Sequence, residues 1–162
     1  MESKVKLSTY SLIITSLVVV LVLTAVMLLI IHSRHIISIL FCLFLLVGLL
    51  WALLKAPVLI KVDKDNIEIC NNMDSSLIPI SKIRSIELFQ PTMGALNVCA
   101  SGGFMGYYGY FKEGDVGKYY AYYGKASDCF LIRMKNGDKY VLGCENSYEM
   151  MKYIDSQLVI KI

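Results

Sequence analysis

Twenty-five consecutive residues, Leu7 to Ile31, carry no charge, and after a four-residue break a second uncharged run of 19 residues extends from Ile36 to Leu54. As helices rising 1.5 Å per residue they would be about 37 and 28 Å long, against a hydrocarbon core of about 30 Å. Both can therefore cross a bilayer, the first with some tilt or with its Ser8-Thr9-Tyr10-Ser11 start at the interface. The four residues between them, His32-Ser33-Arg34-His35, are too few for anything but an antiparallel hairpin. A cleaved signal peptide is the competing account of the first run. Its apolar stretch is too long for that, no small-x-small cleavage site follows, and a second span arrives at once. The expected order is a tail over 1–6, transmembrane helices over 7–31 and 36–54 with a loop at 32–35, and a domain over 57–162.

Charge is distributed to match. Only 18% of the 162 residues are charged, and the first 54 hold four of them: Glu2, Lys4, Lys6 and Arg34. Such a composition excludes a disordered chain, a collagen-like fibre and a large multidomain enzyme. Residues 55–162 hold 13 basic and 12 acidic side chains, a balance unlike the basic stripe of a nucleic-acid binder. No nucleic-acid partner is expected. Lys4 and Lys6 precede the first run, and Lys55, Lys61 and Lys64 follow the second, while the hairpin offers only Arg34. The positive-inside rule then puts the N-terminus and the C-terminal domain in the cytoplasm of a multi-pass protein of the cell (inner or plasma) membrane. Tyr10, Trp51 and Lys55 are the expected interface anchors, the rings in the aromatic belt and the lysine snorkelling beyond it. The five cysteines, at 42, 70, 99, 129 and 144, form no CxxC pair, which fits reduced thiols rather than a disulfide framework or a zinc ribbon.

Polar groups in the runs suggest little chemistry. Ser8, Ser11 and Thr15 share a helical face and can bond to a neighbouring helix or back to their own carbonyls. His32 and His35 can form a small metal or pH-sensing site, but a polar hairpin tip accounts for them more simply. No acid or lysine lies inside either run, so no ion path is marked.

After Pro57 the period changes to two. Val58, Ile60 and Val62 alternate with Leu59, Lys61 and Asp63, a turn at Asp63-Lys64-Asp65-Asn66 follows, and Ile67 and Ile69 return. Short strands are expected over Leu77–Ile80 and Arg84–Phe89, the first at an edge because of Pro79. Phe130, Ile132 and Met134 alternate again, and Asn136-Gly137 predicts a type I′ hairpin to Tyr140–Gly143. A helix is expected over about 147–158, capped by Asn146 with Glu149 closing a capping box. The fold class from pattern is α+β: a two-helix transmembrane hairpin, then a small antiparallel β-domain of roughly seven strands closed by a C-terminal helix.

Residues 91–124 hold eight of the 11 glycines and seven of the 11 tyrosines. Phosphate cradling fails on the residues: Gly109 and Gly114 have GxxxxG spacing, but Asp115-Val116 stands where Lys-Ser/Thr must follow, and GxGxxG is absent. No cofactor is expected. Phe104, Tyr107, Tyr108 and Tyr110 remain as a candidate interaction surface, for a protein partner, a second copy or the headgroup layer. The competing account makes them core and rim of a small domain whose glycines form the bends.

The run Pro79-Ile80-Ser81-Lys82-Ile83-Arg84-Ser85-Ile86, the stretch Gly103-Phe104-Met105-Gly106-Tyr107-Tyr108-Gly109, the following Gly117-Lys118-Tyr119 and the Asn136-Gly137 hairpin together resemble bacterial PH-domain-like membrane proteins with two N-terminal transmembrane helices. The likeness covers about 57–158. It implies a PH-like barrel or sandwich of two bent sheets capped by the C-terminal helix, and carries no specific activity with it. Phosphoinositide binding needs a basic first hairpin, and here a single lysine stands between two acids, so no phosphoinositide site is expected. Catalysis is not expected either. The domain has no histidine, and no paired-acid or HExxH pattern singles out a metal or acid–base site. The expected role is a non-enzymatic membrane-anchored interaction or scaffolding module. The alternative is an accessory subunit that acts through its transmembrane helices within a larger membrane complex.

Overall fold

The computed structural model describes residues 1–32, 36–92 and 94–160. Helix α1 runs from Thr9 to His32 and helix α2 from Ile36 to Lys55. The expected loop residues Ser33, Arg34 and His35 lie outside the described residues, and with them the histidine-pair reading. Both helices are apolar on every side, and only 6% of the most apolar window of each is buried. By length and composition both can cross a membrane. Their mutual packing buries Val26 of α1 and Cys42 of α2. Thr15 Oγ1 donates to Ser11 O and Thr24 Oγ1 to Val20 O, the back-bonding that apolar helices use to satisfy hydroxyls.

Among the described residues there are ten strands: β1 (Glu2–Lys4), β2 (Pro57–Val62), β3 (Asn66–Asn71), β4 (Ser75–Pro79), β5 (Ile83–Leu88), β6 (Leu96–Gly103), β7 (Gly106–Glu113), β8 (Gly117–Tyr123), β9 (Cys129–Met134) and β10 (Lys139–Gly143). They make a four-stranded sheet in the order β1-β2-β3-β4 and a six-stranded sheet in the order β5-β9-β10-β8-β7-β6. Neither closes into a barrel; the two are open sheets with a core between them. Helix α3 (Ser147–Ile160) covers one end. Alternation fills the core as the period-two pattern requires. Ile60, Val62, Ile67, Ile69 and Ile78 come from the first sheet, Tyr122, Phe130, Ile132, Met134 and Leu142 from the second, and Met150 and Ile154 from α3. The opposite face of the larger sheet is buried as well, through Phe111, Tyr119, Ala121, Tyr123, Leu131 and Val141. Burial on both faces is why β8 and β9 read as almost continuous apolar runs.

Four features differ from the sequence reading. Residues 1–6 are not a loose tail: Glu2, Ser3 and Lys4 pair antiparallel with Lys61, Ile60 and Leu59, so the sheet extends beyond 57–162. Strand β10 pairs parallel with β8, Tyr140 to Leu142 opposite Tyr120 to Tyr122, because β9 turns back beyond β10 instead of entering between them. The Asn136-Gly137 turn is not type I′. Gly137 has φ of +95° whereas Asn136 has no positive φ. The Gly137 amide donates to Met134 O at 3.1 Å and Met134 N to Asp138 O at 2.8 Å, a three-residue loop whose last member is a glycine in the left-handed region. Finally, the Asn146 amide that a capping box assigns to Glu149 donates to Ser3 Oγ at 3.3 Å, tying α3 to the N-terminal strand.

Candidate functional site

The glycine-tyrosine segment is a three-stranded meander. Gly103 pairs with Gly106 across a two-residue turn, Phe104-Met105, and β7 continues antiparallel to β8 from Tyr107↔Tyr123 to Glu113↔Gly117. Met105 has φ of +53°, the one non-glycine residue with positive φ among the described residues. The turn is held against the helices. The Met105 amide donates to Thr15 Oγ1 of α1 at 2.8 Å, and Tyr108 Oη donates to Ala52 O of α2 at 3.1 Å. Phe104 lines an apolar groove of about 290 Å3 together with Val18, Val22, Phe44, Gly48 and Ala52. Gly106 shows why glycine is needed at this seam. With φ of +100°, an added Cβ would lie 2.9 Å from Tyr123 O and 3.1 Å from Pro57 Cγ.

The four candidate aromatics are therefore not one surface. Phe104 and Tyr108 face the helices and are half-buried. Tyr107 points to the other face of β7 and stacks on Tyr123 with centroids 4.9 Å apart. Tyr110 alone is exposed, at 46%, edge-on to Tyr120 at 5.4 Å with Lys118 Nζ 4.5 Å above its ring. Of the expected interface anchors, Tyr10 lies against Gly103, whose added Cβ would come within 3.2 Å of the ring. Trp51 is 57% exposed on α2, and Lys55 ends that helix.

Sequence reasoning missed the N-terminal segment. Val5 N donates to Val58 O at 2.9 Å, Ser8 N to Gly124 O at 3.0 Å and Glu145 N to Lys4 O at 3.0 Å. The residues before α1 thus stitch both sheets together at the point where both helices leave them. Strand β6 is the outer strand of the larger sheet. Its Leu96 and Val98 are exposed, and a register shift between Asn97 and Cys99 leaves Val98 bulged. An edge strand presents unpaired backbone groups for another strand.

Chemistry in the domain is muted. Burial pushes the Tyr119, Tyr122 and Tyr123 phenols above their usual 10 and the Cys129 thiol above its usual 9, so these groups stay protonated and are poor nucleophiles. Tyr122 Oη donates to Cys70 O and accepts from Val58 N at 3.1 Å. Among the described residues, no three His, Cys, Asp or Glu side chains converge on one point. A pH dependence follows. The folded pKa values are raised, so the folded state keeps protons that the unfolded chain releases. Stability is then fully present below about pH 9 and falls as pH rises beyond it. Urea midpoints measured at about pH 8 and about pH 10.5 should show the alkaline loss, and Tyr122→Phe should reduce it.

Two open sheets around one core, an end-capping helix and two long apolar helices define a PH-like domain mounted on a helical hairpin. The comparison with family models agrees: the Bacterial PH domain model matches residues 58–158, and the chain belongs to that family. No curated protein and no solved structure gave a match.

Proposed function

We propose that the chain is a non-enzymatic docking module of the cell membrane. Its two helices cross the bilayer, and its PH-like domain holds the β6 edge at a fixed place on the cytoplasmic surface for a protein partner or a second copy. The observation that carries this reading is the mounting. Hydrogen bonds from Ser8, Met105 and Tyr108 join the domain to α1, α2 and the segment leading into α1, so the domain is fixed rather than tethered, while β6 stays uncovered at the outer edge of its sheet. Retention of the first helix is supported by β1. Cleavage after α1 would remove Glu2–Lys4 and strip the β2 edge. The lysines at 4, 6, 55, 61 and 64 favour the cytoplasmic side for both termini.

Charges on an edge strand block strand addition without disturbing the sheet it borders. Leu96→Lys combined with Val98→Lys should leave the thermal midpoint unchanged and abolish co-purification of partners from detergent-solubilised membranes. Unchanged co-purification would remove the edge from the account. The accessory-subunit reading is favoured by one observation. The outward face of α1 forms an apolar groove carrying the Thr9, Ser16 and Thr24 hydroxyls. Helices expressed without residues 57–162 that still capture the partners would favour that reading over docking.

A further inference from the structure

The β6–β7 turn carries a feature that docking does not use. Counting back from Lys55, Ala52 and Gly48 lie about 4.5 and 10 Å along α2, and Thr15 lies about 9 Å into α1 from Thr9, at 1.5 Å per residue. Phe104 shares a groove with Gly48, Val18 and Val22, and Met105 is bonded to Thr15. The turn therefore reaches inward past the exposed Trp51 and the Lys55 end of the helix. Resting on the reading that α1 and α2 span the bilayer, we propose that the Phe104-Met105 turn is a third membrane-inserting element. It lies in the upper hydrocarbon layer of the cytoplasmic leaflet and takes lipid acyl chains against Phe104 and the gap at Gly48.

Three observations support it independently of the helices' length. First, non-helical backbone enters hydrocarbon only when its polar groups are satisfied within the protein. Here the Met105 amide is taken by Thr15 Oγ1, the Phe104 carbonyl accepts from Ser101 Oγ at 2.8 Å, and Ser101 and Tyr108 pair in the ladder. Second, residues 88–111 contain no charged side chain, which is the composition that insertion demands and a solvated hairpin does not. Third, the helices leave the gap open: a Cβ added at Gly48 would meet nothing within 4 Å, and the groove there is lined by apolar side chains and Phe104. Tyr10 and Tyr108 flank the turn where amphipathic rings belong, at the boundary between tails and headgroups.

The test uses the full chain in phosphatidylcholine–phosphatidylglycerol vesicles containing lipids brominated in either the upper or the lower acyl chain, which quench tryptophan at the matching depth. Four single-tryptophan proteins are compared: the native chain with Trp51, and Phe104→Trp, Leu21→Trp and Tyr148→Trp, each in a Trp51→Phe background. The Phe104→Trp reporter should be quenched by brominated lipid to within about twofold of Trp51 and be shielded from aqueous iodide. Tyr148→Trp, on the exposed side of α3, should behave oppositely. If Leu21→Trp is quenched by lipid while Phe104→Trp is quenched only by iodide, the turn is in water and the inference is overturned with the spanning helices intact. If Leu21→Trp is itself unquenched by lipid, the spanning reading fails and the inference with it. Should Phe104→Trp not match the native circular dichroism, the unmodified chain decides. A lipid with a photoactivatable diazirine in its upper acyl chain should label the peptide containing Gly102–Tyr107, and labelling confined to α1 and α2 would overturn the proposal.

Discussion

Ile154→Asp should unfold the domain. Ile154 is fully buried on α3, in the cluster that also contains Ile83, Ile132, Met134 and Met150. An aspartate there would be a carboxylate without a cation or a donor array, and an uncompensated buried charge costs about 3–5 kcal/mol. Against a net stability of about 5–15 kcal/mol for a small domain, that removes most or all of the margin. Loss of near-ultraviolet circular dichroism, with helix signal from α1 and α2 retained in detergent, is the expected readout. Ile154→Val, which removes one methylene, should cost only about 0.5–1.5 kcal/mol. The contrast between the two separates charge from volume.

The second large effect is predicted at Gly124. A Cβ placed there would lie 2.4 Å from the Lys6 carbonyl oxygen and 2.8 Å from its carbon. Both atoms are backbone, and the seam is closed by the Ser8 N to Gly124 O bond, so neither side can yield without breaking it. Gly124→Ala should therefore cost about 1–3 kcal/mol, the range for overpacking a fitted site. It should do so locally. Amide exchange should accelerate at Ser8 and Met105, the contacts that mount the domain, and stay slow at Ile132 and Leu142 in the core. Uniform acceleration instead would mean that the N-terminal segment is part of the global folding unit and not a separable seam.

The parts of this architecture that the sequence announces are those set by local pattern. Two uncharged runs define α1 and α2 to within two residues at each end, because nothing but a helix fits such a stretch. Alternation gives β2, β3, β9 and β10, and helical spacing of Tyr148, Met151, Ile154 and Leu158 gives α3, although Tyr148 is exposed and Met150 is buried beside Ile154 instead. What escapes is pairing at long range. Glu2–Lys4 is three residues of mixed polarity and has no strand signal of its own. It becomes a strand because β2, more than fifty residues later, offers it an edge. The parallel β8–β10 pair is invisible for the same reason, since alternation is identical in either direction. The candidate site was half legible. Glycines and aromatics mark residues 101–111 as unusual, and the segment does meet the helices. Yet the period of two sends Tyr107 to one face and Tyr108 and Tyr110 to the other, so a cluster that is contiguous in sequence is divided in space. The exposed edge at Leu96 and Val98 has no sequence marker, because being last in a sheet is a property of the whole fold.

If the two helices cross the membrane and leave the PH-like domain, with strand β1, on the cytoplasmic side, thiol labelling of the full chain in intact cells will report it. Cys99 is exposed on β6, while Cys129 and Cys144 are buried in the domain. With cysteine introduced at Ser33 in a Cys99→Ser background, a membrane-impermeant maleimide should label whole cells. The native chain should be labelled at Cys99 only after the membrane is permeabilised. Labelling of Cys99 in intact cells, or of the Ser33→Cys chain only after permeabilisation, would contradict the account.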